Sequence, residues 1–140
     1  MRVLLDTDVI LDFLLDRPPF SNAANDLLEL NARGVIDCYV SSITPVNAFY
    51  VGRKVVGSAR IRQDITELLD IVSVCPTTHA SLAGALDLPF ADYEDAVQHA
   101  TAAESNLEAI VTRNIDDYKN ATLQVFTPTE LLSHLKSKPE

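Results

Sequence analysis

Residues 3–12 read VLLDTDVILD, and the change of pattern inside them decides the architecture. Val3, Leu4 and Leu5 form an apolar, β-prone run that stops at Asp6. Over residues 9–15 the apolar positions recur at helical spacing instead, ending near Pro18 and Pro19. A strand that ends in a carboxylate presents that group at the carboxyl edge of its sheet, where open α/β sheets place their ligands. Asp6 is therefore the first candidate functional residue.

The alternation continues outward from this unit. Ser21 is a candidate N-cap for a helix that carries Leu27, Leu28 and Leu30 and stops at Gly34. Residues 35–40 read as a strand. Ser41, Ser42 and Thr44 lead into a helix with Pro45 in its first turn and Val46, Phe49 and Tyr50 at core spacing. Beyond Gly57 and Ser58, Ile61, Ile65, Leu68 and Leu69 mark an amphipathic helix, and residues 71–75 a strand. Thr78 caps a short helix through Leu82 and Leu86, and Asp92 suits the N-cap of a helix burying Ala96, Val97, Ala100 and Ala103. Residues 109–111 and 123–126 form two more strands, and Thr127, Pro128 and Glu130 make a capping box for a last helix. This order predicts an α/β fold, a three-layer α/β/α sandwich around a central, mainly parallel sheet of four or five strands. Residues 1–140 read as one domain with one core.

Composition narrows the function. Eleven Lys and Arg against twenty Asp and Glu leave a net charge of −9, which argues against wrapping nucleic acid by charge alone. It leaves room for a nucleic-acid enzyme, because acids that converge on divalent cations invert the local field. Arg53, Lys54, Arg60 and Arg62 share a segment with no acid before Asp64, either a phosphate-tracking edge or a solvated helix face. Cys38 and Cys75 are isolated and read as reduced packing residues. The apolar runs are strand-sized and the N-terminus lacks a signal pattern, so the expectation is a soluble, cytoplasmic protein without a membrane segment. His79, His99 and His134 have no metal-ligand spacing, and neither a Ser–His–Asp set nor a phosphate-binding glycine loop is visible.

Three further stretches repeat the pattern at Asp6: SSITPVN at 41–47, ADYEDA at 91–96 and IVTRNIDDY at 110–118. Each sets an acid or amide where a strand would end or a helix begin. A parallel sheet could bring Asp6, Asp95 and Asp117 from these distant segments to one edge. Singly they have ordinary roles, Asp6 in a turn, Asp92 as a cap, Asp117 in solvent. Together they suit phosphodiester chemistry, whose substrate repels nucleophiles until hard cations neutralise it and supply hydroxide near neutral pH. Such cations take oxygen ligands, and Asp is the expected source.

In order and separation, LLDTDVILDFLL, SSITPVNAFY, DYEDAVQHATAAE and IVTRNIDDY resemble PIN domains, the compact ribonuclease fold of VapC-type toxins. The resemblance runs over nearly the whole chain, down to FTPTELL at 126–132. It implies a metal-dependent endoribonuclease in which carboxylates hold Mg²⁺ or Mn²⁺ and an RNA substrate is cut, with a homodimeric state and an antitoxin protein as partner. Asp6 matches the family's first acid and Thr7 the hydroxyl residue after it. The second position, usually Glu, falls on Asn47, which offers a carbonyl but no charge and cannot act as a base. Asp95 matches the third acid, with Asp92 and Glu94 close enough to supply the missing charge. The fourth position falls on Asn114, with Asp117 as its replacement and Asp116 as a competitor. The implied catalytic set is Asp6, Asp95 and Asp117, and Asp92 and Asn47 join it around the metal. Thr7, Thr112, Arg113, Asn114, Arg53 and Lys54 are the implied substrate contacts. The apolar faces of the helices around 46–56 and 61–69 are candidates for the dimer or antitoxin contact.

Two other readings compete. Asn47 and Asn114 suit a PIN domain that has lost turnover and binds nucleic acid or protein. DTDVILD also resembles the first motif of haloacid-dehalogenase-type phosphatases, with Asp6 as nucleophile and Asp8 as acid/base, but Lys54 and Lys119 sit in unsuitable settings and the chain is short for that fold. In a PIN domain, Asp8 falls near the site and Asp12 on the helix surface or behind the site.

Overall fold

Val3, Leu4 and Leu5 are completely buried because β1 (Arg2–Leu5) is the middle strand of a five-stranded sheet. The computed structural model describes residues 1–137. On one side of β1 lie β2 (Asp37–Ser41) and then β3 (Ser73–Cys75); on the other lie β4 (Ala109–Val111) and then β5 (Gln124–Phe126). All four pairings are parallel, so the expectation of a mainly parallel sheet of four or five strands resolves to five, all parallel. Val3 stands opposite Cys38 and Ala109, and Leu5 opposite Val111.

Among the described residues seven helices cover the two faces. Val3, Leu5, Cys38, Val40, Ala109 and Val111 point to one side, where α1 (Thr7–Leu14), α2 (Ser21–Ala32), α4 (Ser58–Ile71) and α7 (Pro128–Ser137) contribute Val9, Ile10, Leu27, Leu68 and Leu131. Leu4 and Ile110 point to the other, against Ala102 of α6 (Tyr93–Glu104) and the ring of Tyr118. The alternation follows from the period-two geometry of a strand. Each such burial contributes about 1.5–3 kcal/mol relative to exposure. The short α5 (His79–Ala85) packs on α6 through Ala85, Ala96 and Val97.

The chain steps outward from β1 to β2 to β3, then returns to place β4 on the far side of β1. Connections leaving β1 and β4 therefore diverge, and the carboxyl ends of those two strands flank a crevice at a topological switch point. Asp6 N–H donates to Val111 O at 2.9 Å, so the two strand ends are tied together there.

Several local readings change, among them the strand expected at 71–75, which begins at Ser73, and Ala103, which is exposed. Ser21 is the first residue of α2 rather than its cap, a place taken by Phe20 without a side-chain hydrogen bond. The strand expected at 35–40 begins at Asp37, with Val35 exposed. In α3 (Ile43–Val56) the buried stripe is Thr44, Ala48 and Gly52, while Val46 and Tyr50 are 56% and 53% exposed. The cause is close helix packing, since Ile61 of α4 fills the space that a Cβ on Gly52 would need. Small residues thus face inward and the larger apolar side chains face out.

Cys38 and Cys75 are free and buried, as expected. Among the described residues no helix is long and apolar enough to cross a membrane.

Candidate metal centre

Asp6 ends β1 and caps α1, with an extended backbone (φ −66°, ψ 157°) that lets its carboxylate fold back on the helix start. Oδ1 accepts from Thr7 N–H at 2.7 Å and from Gln98 Nε2 at 3.3 Å. Oδ2 accepts from the Thr112 hydroxyl at 2.9 Å and from the Tyr118 hydroxyl at 3.2 Å. The residue is only 7% exposed, and burial raises its pKa against the pull of these donors.

The first turn of α6 supplies the facing acids. Asp92 caps this helix, accepting from Asp95 N–H at 3.0 Å, which fixes Glu94 and Asp95 beside it. Asp95 Oδ1 lies 3.4 Å from the same Tyr118 hydroxyl, so one group touches both carboxylates. Burial, then the charges of Asp6, Asp92 and Asp117, push Asp95 up to about 7. Glu94 is also raised, chiefly by burial, while the neighbouring polar groups of Asn47 and Thr7 oppose the shift. Asp8 is pushed up to about 7 by burial and by Asp6, with Arg113 opposing, and its Oδ1 is buried without a hydrogen-bond partner among the described residues. Asp116 and Asp117 lie exposed on the 3₁₀ turn Ile115–Tyr118 and line a cleft of about 190 Å³ with Asp92, Asp95 and Lys119. None of Asp6, Asp92, Glu94, Asp95 and Asp117 forms an ion pair among the described residues.

The sequence-derived set divides. Asp6, Thr7, Thr112, Asp92, Asp95 and Asp117 come to one edge, and Asn47 reaches it through Glu94. Asn114 is exposed; its backbone N–H donates to the Thr112 hydroxyl at 3.2 Å and its side chain makes no hydrogen bond among the described residues. Arg113 is engaged from behind. Its Nε lies 3.0 Å from Asp12 Oδ2, with the N–H aimed away from the oxygen, and its guanidinium covers the ring of Phe20 at 4.0 Å. Asp12 is itself buried and pairs with Arg17 at 2.9 Å, behind the site rather than on a helix surface. Arg53 and Lys54 are exposed in the last turn of α3, with Arg53 over Tyr50.

Two residues without an assigned role in the sequence reading join the centre. Gln98, completely buried, bonds Asp6, Thr7 and Thr44, and Tyr118 joins Asp6 to Asp95. Gln98 follows Asp95 by three residues and so shares its helix face, a spacing signal present in the sequence. Tyr118 directly follows Asp117, but nothing in the pattern distinguishes its hydroxyl from a packing ring.

The donors fit a hard divalent cation. They are carboxylate, hydroxyl and amide oxygens without thiolate or imidazole, they crowd negative charge, and Asp8 keeps an oxygen free. Among the described residues no three His, Cys, Asp or Glu side chains are already arranged as ligands of one ion.

Residues 2–116 match the profile of the PIN domain family. The chain belongs to that family. Membership accounts for Asp6 and Asp95 at one sheet edge and displaces the phosphatase reading of Asp6 and Asp8. No curated protein matches this PIN domain in sequence. Its fold is that of VapBC2 from Rickettsia felis, solved bound to a promoter DNA fragment, at 17% identity and a TM-score of 0.72 over 89% of this chain and 97% of that one. FitAcB of Neisseria gonorrhoeae is similar at 24% identity and TM-score 0.65, over 91% and 98%. The Mycobacterium tuberculosis toxin VapC20, described as cleaving the sarcin-ricin loop, is similar at 13% identity and TM-score 0.61, over 77% and 86%.

Proposed function

We propose that this PIN domain is a metal-dependent endoribonuclease that hydrolyses RNA phosphodiester bonds, acting in the cytoplasm as the toxin of a toxin–antitoxin pair. One observation carries the reading: Asp6 and Asp95, from strand β1 and helix α6, meet at the switch point of the sheet beside Asp92 and Glu94, and no ion pair among the described residues offsets their charge. Crowded acids of this kind favour a divalent cation. The description of VapC20 as an RNA-loop-cleaving toxin agrees with it.

Asp6, Asp95 and Asp117 would hold Mg²⁺ or Mn²⁺, with Asp92 and Asn47 at its margin. The bound ion would neutralise the scissile phosphate and activate a water. Thr112 and Gln98 orient the Asp6 carboxylate, Asp92 fixes the start of α6, and the Asn47 amide lies near Glu94. Glu94 thus brings a charge to the place that Asn47 leaves uncharged, which favours turnover over a purely binding role. Exposed Asn114 would meet RNA beside the acids, buried Thr7 would act through its bond to Asp6, Arg113 would reach substrate only by leaving Asp12 and Phe20, and Arg53 and Lys54 would offer more distant phosphate contacts. The outward apolar face of α3, with Val46, Tyr50, Val51 and Val55 exposed, supports a homodimer or an antitoxin contact.

The test is cleavage of an RNA panel in Mn²⁺ or Mg²⁺, beside hydrolysis of a generic phosphomonoester. RNA cleavage that EDTA and Asp6→Asn both abolish is expected. Metal-independent cleavage, or phosphomonoester turnover alone, would overturn the reading. Light scattering of the purified chain at micromolar concentration tests the dimer.

A further inference from the structure

Tyr118 stands where two acids meet. Its hydroxyl lies 3.2 Å from Asp6 Oδ2 and 3.4 Å from Asp95 Oδ1, and its buried ring packs edge-on against Phe90 at 5.7 Å. A phenol has one proton, so it donates to one carboxylate at a time and turns a lone pair toward the other.

The capacity of Asp6 makes this position matter. An ionised carboxylate has about four acceptor positions, and Asp6 fills them with Thr7 N–H, Gln98, Thr112 and Tyr118. A cation ligated by Asp6 must take one of those positions. The contacts from Thr7 and Thr112 are the shorter, at 2.7 and 2.9 Å. Gln98 is completely buried and is also held by the hydroxyls of Thr7 and Thr44. The Tyr118 contact is long, shared, and on the side that faces Asp95, so it is the one most easily given up.

We propose that the Tyr118 hydroxyl is a positioning latch: it stands between Asp6 and Asp95, donates to one of them at a time, and competes with a divalent cation for the same carboxylate oxygens, so that it must give way for the ion to bind. The inference rests on the metal-dependent reading of these acids and names what sets their affinity. Tyr118 closes the turn that carries Asp116 and Asp117, both exposed.

The decisive variant is Tyr118→Phe, which removes the hydroxyl and keeps the ring against Phe90. Calorimetric titration of EDTA-treated protein with Mn²⁺ should show binding roughly three- to tenfold tighter than wild type, the equilibrium value of one modest hydrogen bond. In protein carrying ¹³Cζ-tyrosine, Mg²⁺ should shift the one tyrosine signal that the variant lacks. Unchanged affinity overturns the latch, and weaker affinity makes Tyr118 a ligand instead. Asp6→Asn separates the two levels. If it abolishes Mn²⁺ binding while Tyr118→Phe changes nothing, the metal reading stands and the latch falls; if Asp6→Asn binds Mn²⁺ as wild type does, both fall. A Tyr118→Phe chain that fails to fold by circular dichroism is replaced by Tyr118→Leu with the same titration, and the wild-type ¹³C shift alone then decides whether the hydroxyl moves.

Discussion

Gln98 Nε2 lies 3.3 Å from Asp6 Oδ1, joining residues 92 positions apart inside a seam closed to solvent. The same nitrogen is 3.3 Å from the Thr7 hydroxyl and 3.2 Å from that of Thr44, which are 3.0 Å from each other. The amide carbonyl of Gln98 is buried without a partner among the described residues. Asp6 dictates this orientation, because the flipped amide would set an oxygen against a carboxylate. The first element of the centre is therefore held by neutral donors, which fix a charge without cancelling it.

Gln98→Met keeps the volume and removes the donor. Asp6 and two hydroxyls then lose a buried partner, and the expected cost is about 1–3 kcal/mol in denaturant unfolding. A change within experimental error would show that the amide fills space only.

The acids predict an inverted pH profile for stability. Asp8 and Asp95 are pushed up to about 7, above the roughly 3.9 of an unfolded aspartate. The folded chain binds these protons more tightly, so their contribution to stability is greatest below the unfolded value and declines as pH rises toward 7. EDTA-treated protein should accordingly melt at a higher temperature at about pH 5.5 than at about pH 8. Saturating Mn²⁺ should flatten or reverse the trend, because the ion takes the deprotonated acids. A melting temperature that rises from pH 5.5 to 8 without metal would contradict the assignment.

Much of this was legible in the sequence because it rests on short-range patterns. The apolar run before Asp6, the cap at Asp92 and the box at Thr127 and Glu130 each carry their own chemistry, and each is observed. The face of α3 was not legible. Val46 and Tyr50 hold core spacing, but the close approach of α4 over Gly52 selects the small residues, and that preference belongs to the helix pair. Tyr118 was hidden for a related reason, and Gln98 showed only its shared helix face with Asp95. Their contacts to Asp6 join residues more than ninety positions apart, across the switch point.

Arg113 is expected to matter for stability as well as for RNA. Asp12 is buried between Arg113 and Arg17, and both arginines are partly exposed. Arg113→Met leaves the carboxylate with one partner and uncovers Phe20, at a cost of about 1–3 kcal/mol. Arg113→Lys restores charge without the flat stack on Phe20 and should recover part of that loss. Full stability in Arg113→Met would free this side chain for substrate alone.

Asn47→Glu tests whether the helix after β2 still belongs to the centre. The Asn47 amide lies near Glu94 and lowers its pKa, against the raising charges of Asp6 and Asp92. Replacing that amide with an acid adds a like charge beside the cluster, so EDTA-treated protein should lose about 1 kcal/mol, roughly 2–4 °C in melting temperature. With Mn²⁺ the sign should reverse, because the added carboxylate is a charged ligand where the amide offers only a carbonyl. The variant should show a larger Mn²⁺-induced rise in melting temperature than wild type, and faster RNA cleavage if the ion serves the reaction. A destabilised variant with an unchanged Mn²⁺ response would place residue 47 outside the metal's reach and leave Glu94 as the acid on that side.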